Sequence, residues 1–454
     1  MLRKVIWVLM TFLVIVGLLA IATLQIVDRS HYQSTAYYLA MNERLDSLQK
    51  HLEMKPSKDQ LMIGWSQVNI TPTEAAPLAG YGARDAKAFD QIQDSIYVKT
   101  IIFQQGDKKV AVITADLLLI HPEVDHYIAS NLPEHWTRDQ LYFTASHSHS
   151  SIGGWAPGVV GELFAGSFDR RYVQEIGDHV ISSILSAEQS VGTGAISFGE
   201  LMIDDLVRNR LVKSQGEVDP WFKILSIQKD SLQGYLNFYS AHATTFDHHN
   251  NSVSGDYPAL LNQKLLEDSM IHFSAFAAGA VGSMGPVKLG ENPGANRQTI
   301  ADKLVAQHRL FRLLGGAQIP QDVSLEIFRL NVAMPDPTFK IAENIAFRPW
   351  LFHWAFGDYN SEISVLTLGN TILIGLPVEF SGELAVPLYD YAKSLNLNLI
   401  ITSFNGDYGG YVIKDDWYDL NKYESRTMSW QGPYAGAYFS ETIRRILKIL
   451  DENN

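Results

Sequence analysis

The chain has 454 residues, 46% of them hydrophobic and 19% charged, which gives enough apolar surface for a large buried core and excludes a disordered polymer. Its 36 basic and 49 acidic residues leave a formal charge of -13, with no Lys/Arg cluster of the kind phosphate recognition needs, so nucleic acid is excluded as a partner. With 0 cysteines, thiolate metal sites, a catalytic thiol and a disulfide framework are ruled out, and His, Asp and Glu remain as the strong metal ligands.

Arg3 and Lys4 precede an apolar stretch over 5–27, long enough as a helix to cross the hydrocarbon layer of a bilayer. Basic residues normally stay on the cytoplasmic side, which leaves the remainder of the chain extracytoplasmic. Ala20-Ile21-Ala22 also fits a signal-peptidase site, so residues 1–28 read as a transmembrane anchor or a signal peptide. The anchor is preferred because the apolar stretch continues past that site. In 29–60, Tyr38, Met41, Leu45, Leu48 and Leu52 recur at intervals of three and four, one seam of a helix, and Pro56 closes the segment. This predicts a helical stalk, with packing against the body as the alternative.

From Leu61 to the C-terminus, β-rich runs alternate with amphipathic helices and no flexible linker intervenes. Residues 61–454 therefore read as a single large α/β domain with mixed β-sheets flanked by helices. Strands are expected over 97–103, 109–114, 140–145, 222–228, 235–240, 363–368 and 371–375. One helix is expected to carry Phe380, Leu384 and Leu388, and the last Phe439, Ile443, Ile446, Leu447 and Leu450. Strand order and direction stay open.

The run QLYFTASHSHSS leads a strand into His147 and His149, which period two puts on one face. That suits a metal ligand beside an imidazole kept free for proton transfer, although the spacing alone is not specific. His242 ends YLNFYSAH where a strand meets a loop; a core histidine bonded to backbone is the plainer reading. His248 and His249, in the polar DHHNN, read as a solvated loop. Glu379 follows an apolar strand at the start of the Phe380 helix, where a carboxylate steadies the helix dipole or joins two histidines in a zinc set. Tyrosines 408, 411, 418 and 423 repeat in a glycine-containing loop and either pack or line a cleft. AGAVGSMGP at 278–286 lacks the Lys-Ser/Thr ending of a phosphate loop, which argues against nucleotide binding.

Taken in order, these segments resemble the neutral ceramidase family, zinc amidases that cut the N-acyl bond of ceramide. IGWSQVNITP at 63–72 with Gly80-Tyr81 resembles its opening strand and turn, followed by Ala115-Asp116. SHSHSSIGG is similar to its THTHSGPGG, Asn209-Arg210 to its Asn-Arg-Ser segment, SAHATTF to VHxTS, and GLPVEF to G-x-P-x-E-F. Tyr411, Tyr423-Glu424 and Gly432-Pro433 keep the spacing of its last segment. The resemblance implies that His147, His242, Glu379 and Tyr411 hold one Zn2+, with His149, Arg210 and Tyr423 around the reacting carbonyl. It further implies attack of zinc-bound water on a ceramide-like lipid, held near the membrane by the N-terminal helix, with release of a fatty acid and a sphingoid base.

Two departures qualify that expectation. The family's G-D-x-S-P loop reads Gly282-Ser283-Met284-Gly285-Pro286 here, so Gly285 stands where the family has a serine. The chain also ends soon after its last helix, without the family's C-terminal immunoglobulin-like domain, whose role the tether is expected to take. The alternatives are a zinc hydrolase of another lipid amide or ester, and an inactive scaffold of the same fold.

Overall fold

The computed structural model describes residues 2–54, 57–84, 87–315, 317–318, 324–357 and 361–453; Pro56 lies outside them. Two β-sheets stack face to face. The larger runs in spatial order Phe273–Ala278, Leu232–Tyr239, Trp221–Lys229, Gly192–Met202, Met62–Asn69, Tyr97–Gln105, Lys108–Ala115 and Leu141–Ala145, with Ala317–Gln318 paired to Gly192–Met202. The smaller runs Leu325–Asn331, Glu362–Leu368, Thr371–Leu376 and Asn398–Ser403.

Period two explains the stacking. In Lys108–Ala115, Val110 and Val112 point into the core between the sheets, while Ala111, Ile113 and Ala115 face the helices outside. In the smaller sheet Leu373 and Ile400 point inward, and Ile372, Ile374, Leu399 and Ile401 face the outer helices. Both faces of these strands are buried, which is why they read as continuous apolar runs. Helices Pro122–Asn131 and Arg170–Gln189 cover the outer face of the larger sheet; Gly382–Ser394 and the C-terminal Ala435–Asn453 cover that of the smaller. The fold is α/β with mixed sheets flanked by helices.

Strand direction, open in the sequence, determines where chemistry can collect. Most neighbours are antiparallel, but Lys108–Ala115 pairs parallel with Leu141–Ala145, Leu232–Tyr239 with Phe273–Ala278, and Thr371–Leu376 with Asn398–Ser403. Each parallel pair is joined through a helix, as parallel strands require: Pro122–Asn131, Asp256–Leu266 and Gly382–Ser394 respectively. In such units ligands collect beyond the carboxyl ends of the strands.

Two expectations are corrected. The helix assigned to Phe380 begins only at Gly382, because Glu379–Phe380 is a short strand paired parallel with Tyr411–Val412. The helix Ala36–His51 does not stand free as a stalk: Met41 and Leu45 are buried, Tyr32 and Tyr38 donate to Glu441 at 2.6 Å each, and Arg445 pairs with Asp46 at 2.8 Å. The apolar seam is the expected one, and the C-terminal helix occupies it. Helix Leu2–Thr23 has no buried residue and, among the described residues, is the one helix long and apolar enough to cross a membrane.

Candidate metal centre and active site

Three strands end at one point. His147 lies two residues beyond Leu141–Ala145, His242 three beyond Leu232–Tyr239, and Glu379 three beyond Thr371–Leu376. His147 and His149 are past the strand rather than on its face, so the period-two argument does not bring them together. A left-handed backbone at His147, φ 60°, does. Its ring stacks on Phe404 at 3.9 Å, and Phe404 is itself left-handed at φ 67°. Non-glycine residues held in this region mark a site whose surroundings over-determine the backbone.

Each imidazole is fixed from behind by the main chain. The Nδ1 of His147 lies 2.7 Å from Leu118 O, that of His149 3.0 Å from Gly80 O, and that of His242 2.9 and 2.8 Å from Val281 O and Met284 O. Gly80, at φ 119°, permits the approach, since a Cβ there would sit 2.6 Å from His149 Cα. A carbonyl only accepts, so Nδ1 carries the proton and each neutral ring turns an Nε2 lone pair forward. Burial keeps the rings neutral: it pushes His147 down to about 3 and His149 and His242 well below their ordinary value.

The forward atoms crowd together. The Nε2 atoms of His147 and His149 are 3.1 Å apart, Glu379 Oε2 is 2.9 Å from His242 Nε2, and Glu379 Oε1 is 3.8 Å from His147 Nε2. Glu379 Oε2 is buried with no hydrogen-bond donor. Lone pairs and a carboxylate facing one another are what a cation would satisfy, and the N/O donor set suits zinc. The plain reading of His242 as a backbone-bonded core histidine is thus right for Nδ1 and incomplete for Nε2.

Tyr411 reaches the same place because its strand pairs in register with Glu379. Its hydroxyl accepts from Arg210 Nη2 at 2.6 Å and lies 3.4 Å from His242 Nε2. Burial raises the Tyr411 pKa well above the usual phenol value, with Arg210 pulling against it. Arg210 Nε donates to Glu424 at 2.6 Å; burial opposes its charge, but Tyr411, Glu424 and Glu379 outweigh that and raise its pKa. Tyr423 is half exposed, 6.2 Å from the Tyr411 ring, and lines the cavity mouth.

The group sits at the floor of a cavity of about 650 Å³, walled by Trp155, Phe164, Phe356 and Trp430 among others. All seven residues singled out in the sequence are gathered here, and every one except buried His242 lines the cavity. Two partners were not foreseen. Tyr408 donates to Glu379 Oε1 at 2.7 Å, and Glu424 holds Arg210; glycines around Tyr408 and the position of Glu424 beside Tyr423 were the available signals. Gly285 and Ser283 are not among the cavity's lining residues. Ser283 O accepts from Arg210 N at 2.8 Å, and a Cβ on Gly285 would meet Arg210 Cδ at an ordinary 3.4 Å. Asp247, His248 and His249 form a second, exposed group of donors.

Comparison with known proteins follows the same lines. The family model for "neutral/alkaline non-lysosomal ceramidase, N-terminal" matches residues 61–298, just over half of the chain. The chain belongs to this family. Neutral ceramidase of Mycobacterium tuberculosis is 23% identical over 218 residues, 43% of this chain and 34% of that protein. Neutral ceramidase of Pseudomonas aeruginosa is 22% identical over 268 residues, 54% of this chain and 40% of that protein. The chain thus matches well under half the length of these ceramidase relatives. The crystal structure of the Pseudomonas aeruginosa neutral ceramidase superimposes with a TM-score of 0.76 at 16% identity, covering 87% of this chain and 75% of that one. A ceramidase complexed with C2 gives the same score and identity, covering 87% and 76%. These likenesses establish a shared fold.

Proposed function

We propose that the protein is a zinc-dependent amidohydrolase that cleaves the N-acyl bond of ceramide or a related sphingolipid, with residues 1–28 as a membrane anchor and 61–454 as its extracytoplasmic catalytic body. The observation that carries the reading is the convergence of three neutral imidazoles and the Glu379 carboxylate on one point beneath an apolar-walled cavity. His147, His242, Glu379 and Tyr411 hold the ion. When bound, zinc supplies Lewis acidity, lowers the pKa of a coordinated water and favours the phenolate of Tyr411.

The chain's own groups supply the rest. His149, the least buried of the three imidazoles, takes the proton of the attacking water and returns it to the departing amine. Arg210, fixed by Glu424, and the Tyr423 hydroxyl donate to the oxygen that becomes negative, an effect worth roughly 3 kcal/mol per donor in comparable sites. Atoms balance as amide plus water giving fatty acid plus sphingoid base. The apolar wall takes the acyl chain and keeps bulk water away from the floor.

The test is product identification. The purified full chain is incubated with N-acyl sphingoid bases, N-acyl amino acids and lipid esters, with and without chelator. Release of sphingoid base, abolished by chelator and restored by zinc, is expected. Hydrolysis confined to the other substrates, or indifferent to chelator, overturns the reading.

A further inference from the structure

Two short helices border the cavity, Gly158–Ala165 and Pro349–Phe356, packed so that a Cβ on Gly158 would lie 3.5 Å from Ala355 O. Each turns apolar side chains to the cavity, Val160 and Phe164 from the first and Phe356 from the second. Each also leaves apolar side chains in the open: Val159 is 61% exposed, Leu163 53%, Trp350 53% and Trp354 67%. Exposed apolar side chains gathered on two packed helices at a cavity rim mark a surface that something covers.

The N-terminal helix shows what. Immediately after Thr23, Leu24–Ile26 forms a strand antiparallel to Ile345–Phe347, which leads directly into the second helix. Arg348 N donates to Thr23 O at 2.8 Å, Arg348 Nε to Ile21 O at 2.9 Å, and the Trp350 indole to Ala22 O at 2.9 Å. The last carbonyls of the apolar helix, otherwise orphaned, are thereby capped by the start of the rim helix. Trp350 consequently stands at the level where the span ends, the depth at which tryptophan is enriched in membrane proteins.

We propose that the exposed faces of Gly158–Ala165 and Pro349–Phe356 lie in the headgroup–acyl boundary of the bilayer that holds Leu2–Thr23, so that the cavity opens onto the membrane and draws its acyl chain from it directly. Binding of this type scales with the apolar area inserted. The inference rests on the anchor and lipid-amide readings above, and its first readout is independent of activity.

The full chain carrying Trp7→Phe is reconstituted in phosphatidylcholine vesicles whose acyl chains are brominated near the carbonyl end. Quenching of tryptophan emission is expected, and its loss on adding Trp350→Phe and Trp354→Phe. Equal quenching with and without these two tryptophans overturns the proposal; so does a floating protein whose rim is unquenched and crosslinks to a second copy. Failure to float with vesicles removes the anchor and this surface together. In a second arm, Val159→Asp/Leu163→Asp lowers turnover of a vesicle-resident N-acyl sphingoid base by about tenfold and leaves a water-soluble short-chain analogue unaffected, as expected when local concentration at the bilayer is what is lost. Equal loss on both substrates counts against the proposal. Quenching without hydrolysis of either substrate supports the surface and sinks the amidase reading alone.

Discussion

The two sides of the cavity floor are built on different principles. On one side His147, His149 and His242 are each held by main-chain carbonyls, so their forward nitrogens are aimed by the fold itself. On the other, Glu379, Tyr408, Tyr411, Arg210 and Glu424 hold one another through side-chain bonds, with Gly282 allowing the backbone to close in behind: a Cβ there would lie 2.3 Å from Glu379 O. The first side resists loss of any one member. The second is a network whose members act together, so single changes spread through it.

His147→Ala puts that contrast under the largest strain. The other imidazoles keep their carbonyl partners, so the variant is expected to fold, to lose turnover, and to bind zinc at least about 100-fold more weakly, a scale reached even when only an outer partner of a ligand is removed. Metal content after dialysis, with circular dichroism as the control, decides it; full zinc would take His147 out of the ligand set. Next comes His149→Ala. Zinc is expected to stay while turnover falls by about 100-fold or more, the effect of losing a general base. Loss of the ion instead would make His149 a ligand, which its 3.1 Å approach to His147 permits geometrically.

Changes on the carboxylate side should be graded. Glu424→Gln keeps an acceptor for Arg210 Nε but removes the charge, and about a tenfold fall in kcat with little change in KM is expected, with partial recovery in Glu424→Asp. Tyr423→Phe should lower kcat by a similar factor. Tyr423 is a half-exposed residue, so its hydroxyl is expected to contribute less than a donor on a fully enclosed side chain. An unchanged rate in either variant would remove that residue from the machinery and leave Arg210 alone facing the carbonyl.

The same contrast explains what could be read from the sequence. Strands such as Tyr97–Gln105 and Thr371–Leu376 were legible because both faces are buried and β-branched residues fill them. Gly192–Met202 was not foreseen: it is glycine-rich and partly exposed, so its period is weak. Arg170–Gln189 was missed although Val173, Ile176, Val180 and Ile184 carry a clear helical period. At the site, the resemblance to the ceramidase family, carried by the order of the segments, pointed to the seven side chains, whereas period two does not describe the local backbone that brings them together. His147 and His149 meet through a left-handed turn, and Glu379 through a two-residue strand. Among the tyrosines, nothing in the loop's composition separates Tyr408 and Tyr411, which face Glu379 and Arg210, from Tyr418, whose ring packs under Lys340.

The mildest test uses acid. Burial holds His147 and His308 neutral, each pushed down to about 3, against an unfolded value of about 6.5. The unfolded chain therefore binds more protons than the folded one between these limits. Stability from each group is complete above pH about 6.5 and is lost as the pH falls toward 3, by about 1.4 kcal/mol per unit, tenfold in the folding constant. The two histidines differ in what zinc can do for them. His308 packs edge-on against Tyr235 at 4.2 Å and neither ring nitrogen has a hydrogen-bond partner, so His308→Leu should flatten the acid slope without changing zinc content. Zinc should raise the melting midpoint at pH 7, and because the imidazoles are already neutral in the folded chain down to about pH 3, that increment should shrink toward pH 5 only through the proton that Tyr411 must release to bind. Melting curves at pH 7, 6 and 5, with and without chelator, separate the two. A zinc increment independent of pH would mean that the ion is not held by the Tyr411 phenolate, and the imidazoles and Glu379 would carry it without that ligand.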